Sequence, residues 1–425
     1  MSQQFIDCGD GTYKMRTCAW SPPGDHPVGC GMYLKVKDGR IVGVEGDPEH
    51  PISQGRLCTR CLSLPEYVYS DKRVTTPLRR AREDRGFDKW EPITWDEAMD
   101  IIASESMRIK EEYGPEAIIT GQGTGRVSNH WHCRLNSSLG LEGWSLVPTH
   151  VCLMPHILPN AFTLGIYSSA KGDSRNANCI VAWGENPAMQ TTWAKEAYAN
   201  QRAGKTKLIV IDTRYQDMSK HADLAIQPRP GTDGALALAI IHEVIEHKWY
   251  DQDFVDKWTY GFDELAERVK DWTPERAAEV CWITPEEVRE AARIMGENGP
   301  VAMNIGLGPG CMHTNAIQNG RAIACLQGLL GWIDVPGGVS VPLSFSVMLD
   351  DKITLWDGAK DPGRADLFTF GGEEHPLYKS FGRSNDPHAV FQAIITGEPR
   401  PVKAFVAIAN DPLLCYENTN LTHQA

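Results

Sequence analysis

Cys18, His26, Cys30 and Cys58 stand near the start of the chain in the order Cys-x7-His-x3-Cys-x27-Cys. Soft thiolates and one imidazole gathered by a small module can hold either a tetrahedral zinc or a 4Fe–4S cluster, and spacing alone leaves both open. Packed, unreactive thiols are the plain alternative. Against that, Gly and Pro crowd these positions, and no apolar periodicity places them in a core. Cys61 forms a Cys-x2-Cys with Cys58 and competes for the fourth ligand position. Of the other thiols, Cys179 sits in an apolar strand-like run and Cys325 in an apolar helical stretch, so both read as core packing.

The elements that position these residues are legible in part. Met32–Val44 alternates apolar residues on both sides of Asp38-Gly39, which predicts a hairpin and hence a small β module. Thr94 with Glu97 three residues on predicts a capping box and a helix through Tyr113. Ala117–Thr120, Cys179–Trp183, Lys207–Ile211 and Val301–Ile305 are short apolar runs separated by helical or loop stretches, the pattern of an α/β protein with a largely parallel sheet. Gly234–Glu246 predicts a helix after the loop Arg229-Pro-Gly-Thr-Asp. Thr284, Pro285 and Glu287 predict the start of another. Beyond about Val339 the texture turns rich in Gly, Pro, Asp and Ser and reads as a loop-rich return into an earlier domain.

A chain of 425 residues can bury several cores, so two or three domains are expected. Net charge is −13 with no long basic stripe, which argues against nucleic acid as a partner. No apolar run approaches the ~18 residues needed to span a bilayer, and the first residues carry neither a secretory nor a twin-arginine signal. A cytoplasmic protein with reduced thiols, some of them metal ligands, is expected.

Cys30-Gly31, the hairpin and VEGDPEHPISQGRLCTR (residues 44–60) together resemble the N-terminal cluster domain of the dimethyl sulfoxide reductase family of molybdopterin enzymes. The likeness departs at one place: the family's second cysteine falls on His26 and its first on Pro23, leaving Cys18 upstream to substitute. It continues through Trp183-Gly-Glu-Asn-Pro-Ala, through residues 211–239 (IDTRYQDMSKHADLAIQPRPGTDGALALA) and through residues 320–338 (GRAIACLQGLLGWIDVPGG). The resemblance implies a bis-molybdopterin guanine dinucleotide cofactor carrying molybdenum or tungsten, together with a 4Fe–4S cluster on Cys18, His26, Cys30 and Cys58, with Cys61 as the alternative to His26. Gly184, Glu185, Asn186, Asp212, Arg214, Gly231 and Asp233 would contact one dinucleotide: a strand ending in Gly-x-Asn-Pro lets backbone amides approach a diphosphate, and Asp212 offers a carboxylate to ribose or guanine. Arg60 matches the family's cation between cluster and pterin. Cys152 matches the protein ligand of the metal; taken without the family it reads more often as a packed core thiol. His150 and His156 flank it as proton shuttles, hydrogen-bond donors or structural histidines.

The implied architecture is an iron–sulfur domain over 1–72, the first part of an α/β domain over 73–148, a Rossmann-like dinucleotide domain over 149–340 and an incomplete return to the α/β domain over 341–425. By the same resemblance, the family's C-terminal β-rich pterin-binding domain is expected to be absent from these 425 residues. Within the family, residues 18–31 (CAWSPPGDHPVGCG) and 399–420 are most similar to the branch of acetylene hydratase and the catechol dehydroxylases. That implies an oxidoreductase removing an oxygen group from a small molecule such as a catechol, with an iron–sulfur electron-transfer subunit as partner. A non-redox hydratase and a non-catalytic iron–sulfur electron-transfer subunit are the competing readings. Anaerobically purified protein is expected to be brown and to give an iron-linked paramagnetic signal on reduction. Stoichiometric zinc without iron would sink the cluster assignment.

Overall fold

The computed structural model describes residues 5–19, 29–51, 53–123, 129–141, 152, 154–166, 170–186, 194–341, 370–375 and 385–425. His26 and His150 lie outside the described residues. The chain forms two compact units, one from Met1–Pro148 with Ser346–Ala425, the other from Thr149–Phe345.

The first unit opens with an antiparallel meander of β1 (Phe5–Asp7), β2 (Tyr13–Ala19), β3 (Cys30–Lys37) and β4 (Arg40–Gly46). Asp38 and Gly39 join β3 to β4 with φ of 49° and 75°. Positive φ at both central residues gives the turn whose twist matches the flanking strands, which is why Asp-Gly predicts it. The short α1 (Thr59–Leu62) starts from Cys58. In α2 (Trp95–Tyr113) the expected box is present: Thr94 Oγ1 accepts from the Glu97 amide at 3.2 Å, and the Glu97 carboxylate accepts from the Thr94 amide at 2.8 Å. β5 (Ile118–Gln122) begins one residue later than the apolar run suggests, because Ala117 completes a 3-10 turn begun by Pro115. α3 (Asn129–Leu139) then places His132 in a buried set of neutral partners, its Nδ1 2.8 Å from Gln122 Oε1 and its Nε2 2.8 Å from Thr120 Oγ1.

The second unit starts with α4 (Met154–Leu164), β6 (Cys179–Trp183), α5 (Ala194–Arg202), β7 (Lys207–Ile211) and β8 (Leu224–Ile226). It continues with α6 (Asp233–Glu246), α7 (Pro274–Cys281), α8 (Pro285–Glu297), β9 (Val301–Ile305), α9 (Leu307–Cys311) and α10 (Ala316–Leu330). Its sheet has the order β8-β7-β6-β9, every neighbouring pair parallel. All five residues of β6 are buried, which accounts for its unbroken apolar run. Alternate residues serve the two faces. Cys179, Val181, Trp183, Ile209, Ile211, Val301 and Met303 pack against α6, α8 and α10, while Ile180, Ala182, Leu208, Val210 and Ala302 pack with Ala197, Tyr198 and Met218. Helices and turns thus cover both faces, the doubly wound arrangement expected of an α/β chain.

The chain then returns to the first unit, and there the sequence reading needs correction. Residues 342–369 and 376–384 lie outside the described residues. Among the described residues of this return, regular structure stands between the turns and loops: α11 (Pro387–Thr396) and β10 (Ala404–Ile408). Asp386 accepts from the amides of His388 and Ala389, Pro387 occupies the first helical position, and Gly397 ends the helix at φ 81°. β10 pairs in parallel with β5, from Ala404 opposite Ile118 to Ile408 opposite Gln122. Among the described residues no helix is long and apolar enough to cross a membrane.

Burial among uncharged partners pushes the His132 pKa down from 6.5 to about 4. Unfolded chains take up this proton near pH 6.5 and the folded chain does so only near pH 4, so the contribution to stability is full above 6.5 and is lost as pH falls toward 4. His132→Gln is expected to flatten the decline of the urea midpoint between pH 7 and 4.5. Identical slopes for wild type and variant would refute the buried neutral histidine.

Candidate cofactor site

Three of the N-terminal thiols meet in one place. Cys30 opens β3, Cys58 caps α1 and Cys61 lies within α1, fully buried. The Cys61 amide donates to the Cys58 carbonyl at 3.1 Å, and its thiol is hydrogen-bonded to Cys30 and Cys58. The Cys30 bond, burial and the neighbouring thiols push the Cys61 pKa up. Cys18, on β2 opposite Gly31, is raised by burial and by the charge of Cys30. Burial acts to raise Cys58 as well, but the Cys61 amide, the Arg60 guanidinium and the Arg60 amide outweigh it and the net direction is down. Arg60 therefore acts first on Cys58. Gly29, at φ 74°, is required by this crowding, since a Cβ there would lie 2.6 Å from Cys18 Sγ. Among the described residues no three His, Cys, Asp or Glu side chains are arranged around a single metal ion.

The second unit builds a crevice at the carboxyl ends of its strands. With the order β8-β7-β6-β9 the chain starts in β6, winds outward to β8 and then crosses back to β9, so the winding direction reverses between β6 and β9. Ligands of open parallel sheets bind at such a reversal, outside the strand ends. Gly184 follows β6 at φ 61°, and Gly306 follows β9. A Cβ on Gly306 would fall 1.9 Å from the Gly184 carbonyl oxygen, and one on Gly184 would fall 2.4 Å from Pro309 Cδ. Neither position admits a side chain.

Around these glycines the polar groups are mostly acceptors. Asp212, at the end of β7, is buried; its Oδ1 accepts from the Arg214 amide at 2.9 Å and its Oδ2 from Gln216 Nε2 at 2.9 Å. The same Gln216 amide donates to the Glu185 carbonyl at 2.8 Å. The Arg214 side chain itself is exposed, 4.0 Å from Asp212. Asp233, at the start of α6, accepts from Trp183 Nε1 at 2.8 Å; burial pushes its carboxyl up against the opposing pull of that bond. Gly231 takes a left-handed φ of 83° beside His313, and its carbonyl accepts from Asn319 Nδ2 at 3.2 Å. Asn186 Oδ1 and Gln216 Oε1 are buried with no hydrogen-bond partner among the described residues. Buried acceptors of this kind require donors. The set fits the N–H and O–H edge of a nucleobase, a pterin or a ribose, which a molybdopterin dinucleotide supplies.

Cys152 lies half-buried just before α4, and His156 is buried inside that helix. Burial, helped by the charge of Lys171, lowers the His156 pKa to about 4, so at neutral pH it is an uncharged hydrogen-bonding group and not a reserve of protons. Cys311, at the end of α9, directs its thiol to the Cys152 carbonyl oxygen at 2.6 Å. Burial and the neighbouring Cys152 push the Cys311 thiol up to about 12. The sequence reading missed Cys311, Gln216, Gly306 and His313. A Gly-rich run directly after an apolar strand, Gly306-Leu-Gly-Pro-Gly, is the signal that marks the β9 end, and Cys311 terminates it.

A thiol-bearing β module followed by a doubly wound domain with an acceptor-lined crevice defines a class of iron–sulfur proteins that also hold a dinucleotide. Family models agree: residues 73–400 match the molybdopterin oxidoreductases, and residues 27–70 match the molybdopterin oxidoreductase Fe4S4 domain. The chain belongs to the molybdopterin oxidoreductase family, whose cofactors are a molybdopterin and a 4Fe–4S cluster. It is 32% identical to the probable oxidoreductase YoaE of Bacillus subtilis (strain 168), over 74% of this chain and 46% of that protein. It is 28% identical to acetylene hydratase of Syntrophotalea acetylenica, over 92% of this chain and 56% of the relative. The solved structure of acetylene hydratase from Pelobacter acetylenicus superposes with a TM-score of 0.81 at 27% identity, covering 93% of this chain and 57% of that one. The chain spans about half the length of the curated relatives it matches.

Gln216 holds Asp212 and the Glu185 carbonyl with one amide. Gln216→Met keeps the volume and removes the amide, leaving buried acceptors without a donor; it is expected to lower the unfolding free energy by ~1–3 kcal/mol. A loss under about 0.5 kcal/mol in chemical denaturation, the size of a neutral surface change, would mean that the clamp holds nothing.

Proposed function

We propose that the whole protein is a molybdenum or tungsten bis-molybdopterin guanine dinucleotide enzyme that passes electrons through a 4Fe–4S cluster and removes an oxygen-bearing group from a small molecule, reductive dehydroxylation of a catechol-like substrate being the leading case. The crevice between β6 and β9 carries this reading, because buried acceptors and two side-chain-free glycines lie at the end of the same sheet that brings Cys152 and Cys311 together. Cys152 would supply the protein ligand to the metal, and the metal would supply the oxygen chemistry. Asp212, held by Gln216 and the Arg214 amide, would receive the donor edge of the guanine or ribose. Gly184, Glu185, Asn186, Gly231 and Asp233 would line the rest, with Trp183 fixing Asp233 from behind and Arg214 reaching outward from the exposed rim. His156 would orient, as a neutral donor or acceptor, whatever approaches Cys152, and His150 is proposed for the same neighbourhood.

For the cluster, Cys18, Cys30, Cys58 and either Cys61 or His26 are proposed as ligands. The hydrogen-bonded grouping of Cys30, Cys58 and Cys61 supports Cys61, and the family spacing supports His26. Arg60, bonded to Cys58, would favour the reduced, more negative cluster and so ease electron entry. The protein is proposed to work in the cytoplasm with an iron–sulfur electron-transfer subunit.

A second reading has a specific observation behind it. Likeness to acetylene hydratase extends over nine-tenths of the chain in both sequence and structure, which supports a hydratase in which the metal activates water without net redox change. Turnover that requires an electron donor separates the first reading from the second. Cys152→Ala in the full-length protein is expected to abolish turnover and lower the molybdenum or tungsten content while leaving iron unchanged; Cys152→Ser is expected to keep partial activity through an oxygen ligand. Wild-type turnover per bound metal in the alanine variant rules out the ligand role.

A further inference from the structure

We propose that Cys152 and Cys311 form an intrachain disulfide in the cofactor-free protein, a reversible modification that withholds Cys152 until the crevice is reduced and loaded. The two residues come from segments far apart in sequence, one ahead of α4 and one at the end of α9. Cys311 Sγ nonetheless lies 2.6 Å from the backbone oxygen of Cys152. A cysteine's own Sγ stays within a few ångströms of its carbonyl as χ1 rotates, and the Cys152 thiol is near enough to act electrostatically on Cys311, so rotation about χ1 is the motion the proposed pairing calls for. The backbone on the Cys311 side is held in place. α9 is pinned by Gly306 against the Gly184 carbonyl and by Pro309 against Gly184, and Gly310 passes against the Pro155 carbonyl and His156. Both thiols are half-buried, which leaves a path for a small oxidant.

The oxidant is a low-molecular-weight organic disulfide. The Cys152 thiolate attacks it, expelling one small thiol and leaving a mixed disulfide; the Cys311 thiol, giving up its proton to solvent as it attacks, closes on the Cys152 sulfur and expels the other small thiol. The protein loses two electrons and two protons, and the small disulfide gains both. The pairing stands on the geometry alone. Its consequence for the metal rests on the proposed role of Cys152.

The test uses the chain produced in medium without molybdate or tungstate, beside the same chain produced with metal, both handled anaerobically. Each is exposed to oxidised glutathione, alkylated and mapped by peptide mass spectrometry. The metal-free protein is expected to yield the Cys152–Cys311 cross-linked peptide, abolished by dithiothreitol and absent in Cys311→Ser and Cys311→Ala, where glutathione stays on Cys152. Separate alkylation or separate glutathionylation of Cys152 and Cys311 in the wild-type metal-free chain overturns the pairing. Equal cross-linking in metal-free and metal-loaded protein upholds the pairing but overturns the ligand role of Cys152, and with it the gating.

Discussion

The approach of two strand ends governs the second unit. Gly184 and Gly306 lie so close that a methyl group on Gly306 would occupy the space of the Gly184 carbonyl. Bare backbone at both positions lets β6 and β9 run side by side to their ends and lets α9 fold over the reversal point. The placement of Cys311, the passage of Gly310 beside His156, and the opening at the strand ends all follow from that contact. Packing at this density leaves little room for adjustment, so the geometry of the crevice is inherited from the sheet rather than set by its own polar groups.

Among the described residues the side chains at the strand ends bring mainly acceptors to the crevice. Asp212, Asp233 and Glu185 bring carboxylates, and Asn186 and Gln216 bring buried oxygens without partners among the described residues. Such a set repels an isolated phosphate and attracts a heterocyclic edge rich in N–H groups. Backbone amides are the kind of donor a phosphate takes, whereas these side chains suit the N–H edge of a base, pterin or sugar. Two carboxylates are prepared for this by internal donors, Asp212 by the Gln216 amide and Asp233 by the Trp183 indole, which hold acceptors that burial would otherwise destabilise.

In the N-terminal module burial is opposed by backbone amides and by the Arg60 guanidinium. Burial raises Cys18 and Cys61, and in the Cys30–Cys61 contact one thiol raises the other. Cys58 is moved down, by the Cys61 amide, by the Arg60 guanidinium and by the Arg60 amide. A thiol set poised this way resists full ionisation by itself and gains from any positive centre that takes up the charge, which is the physical case for a metal cluster at this place.

Local rules sufficed for the elements. The Asp38-Gly39 hairpin, the boxes at Thr94 and Thr284, and the strands Cys179–Trp183, Lys207–Ile211 and Val301–Ile305 were readable because each depends on neighbouring residues and on whether one or both faces are buried. The helix Pro387–Thr396 carried the same kind of signal in Asp386-Pro387 and Gly397, hidden by the Gly- and Pro-rich sequence before it. Candidate ligands such as Cys30, Cys58 and Cys152 could be named from type and spacing, and their family from blocks of sequence. Tertiary structure alone decided which of them meet. Cys61 joins Cys30 through the meander that brings β3 beside α1, while the reach of Gln216 to the Glu185 carbonyl and of Cys311 to Cys152 follows from strand order and the close approach of Gly184 and Gly306; separations of 31 and 159 residues leave no periodicity to read.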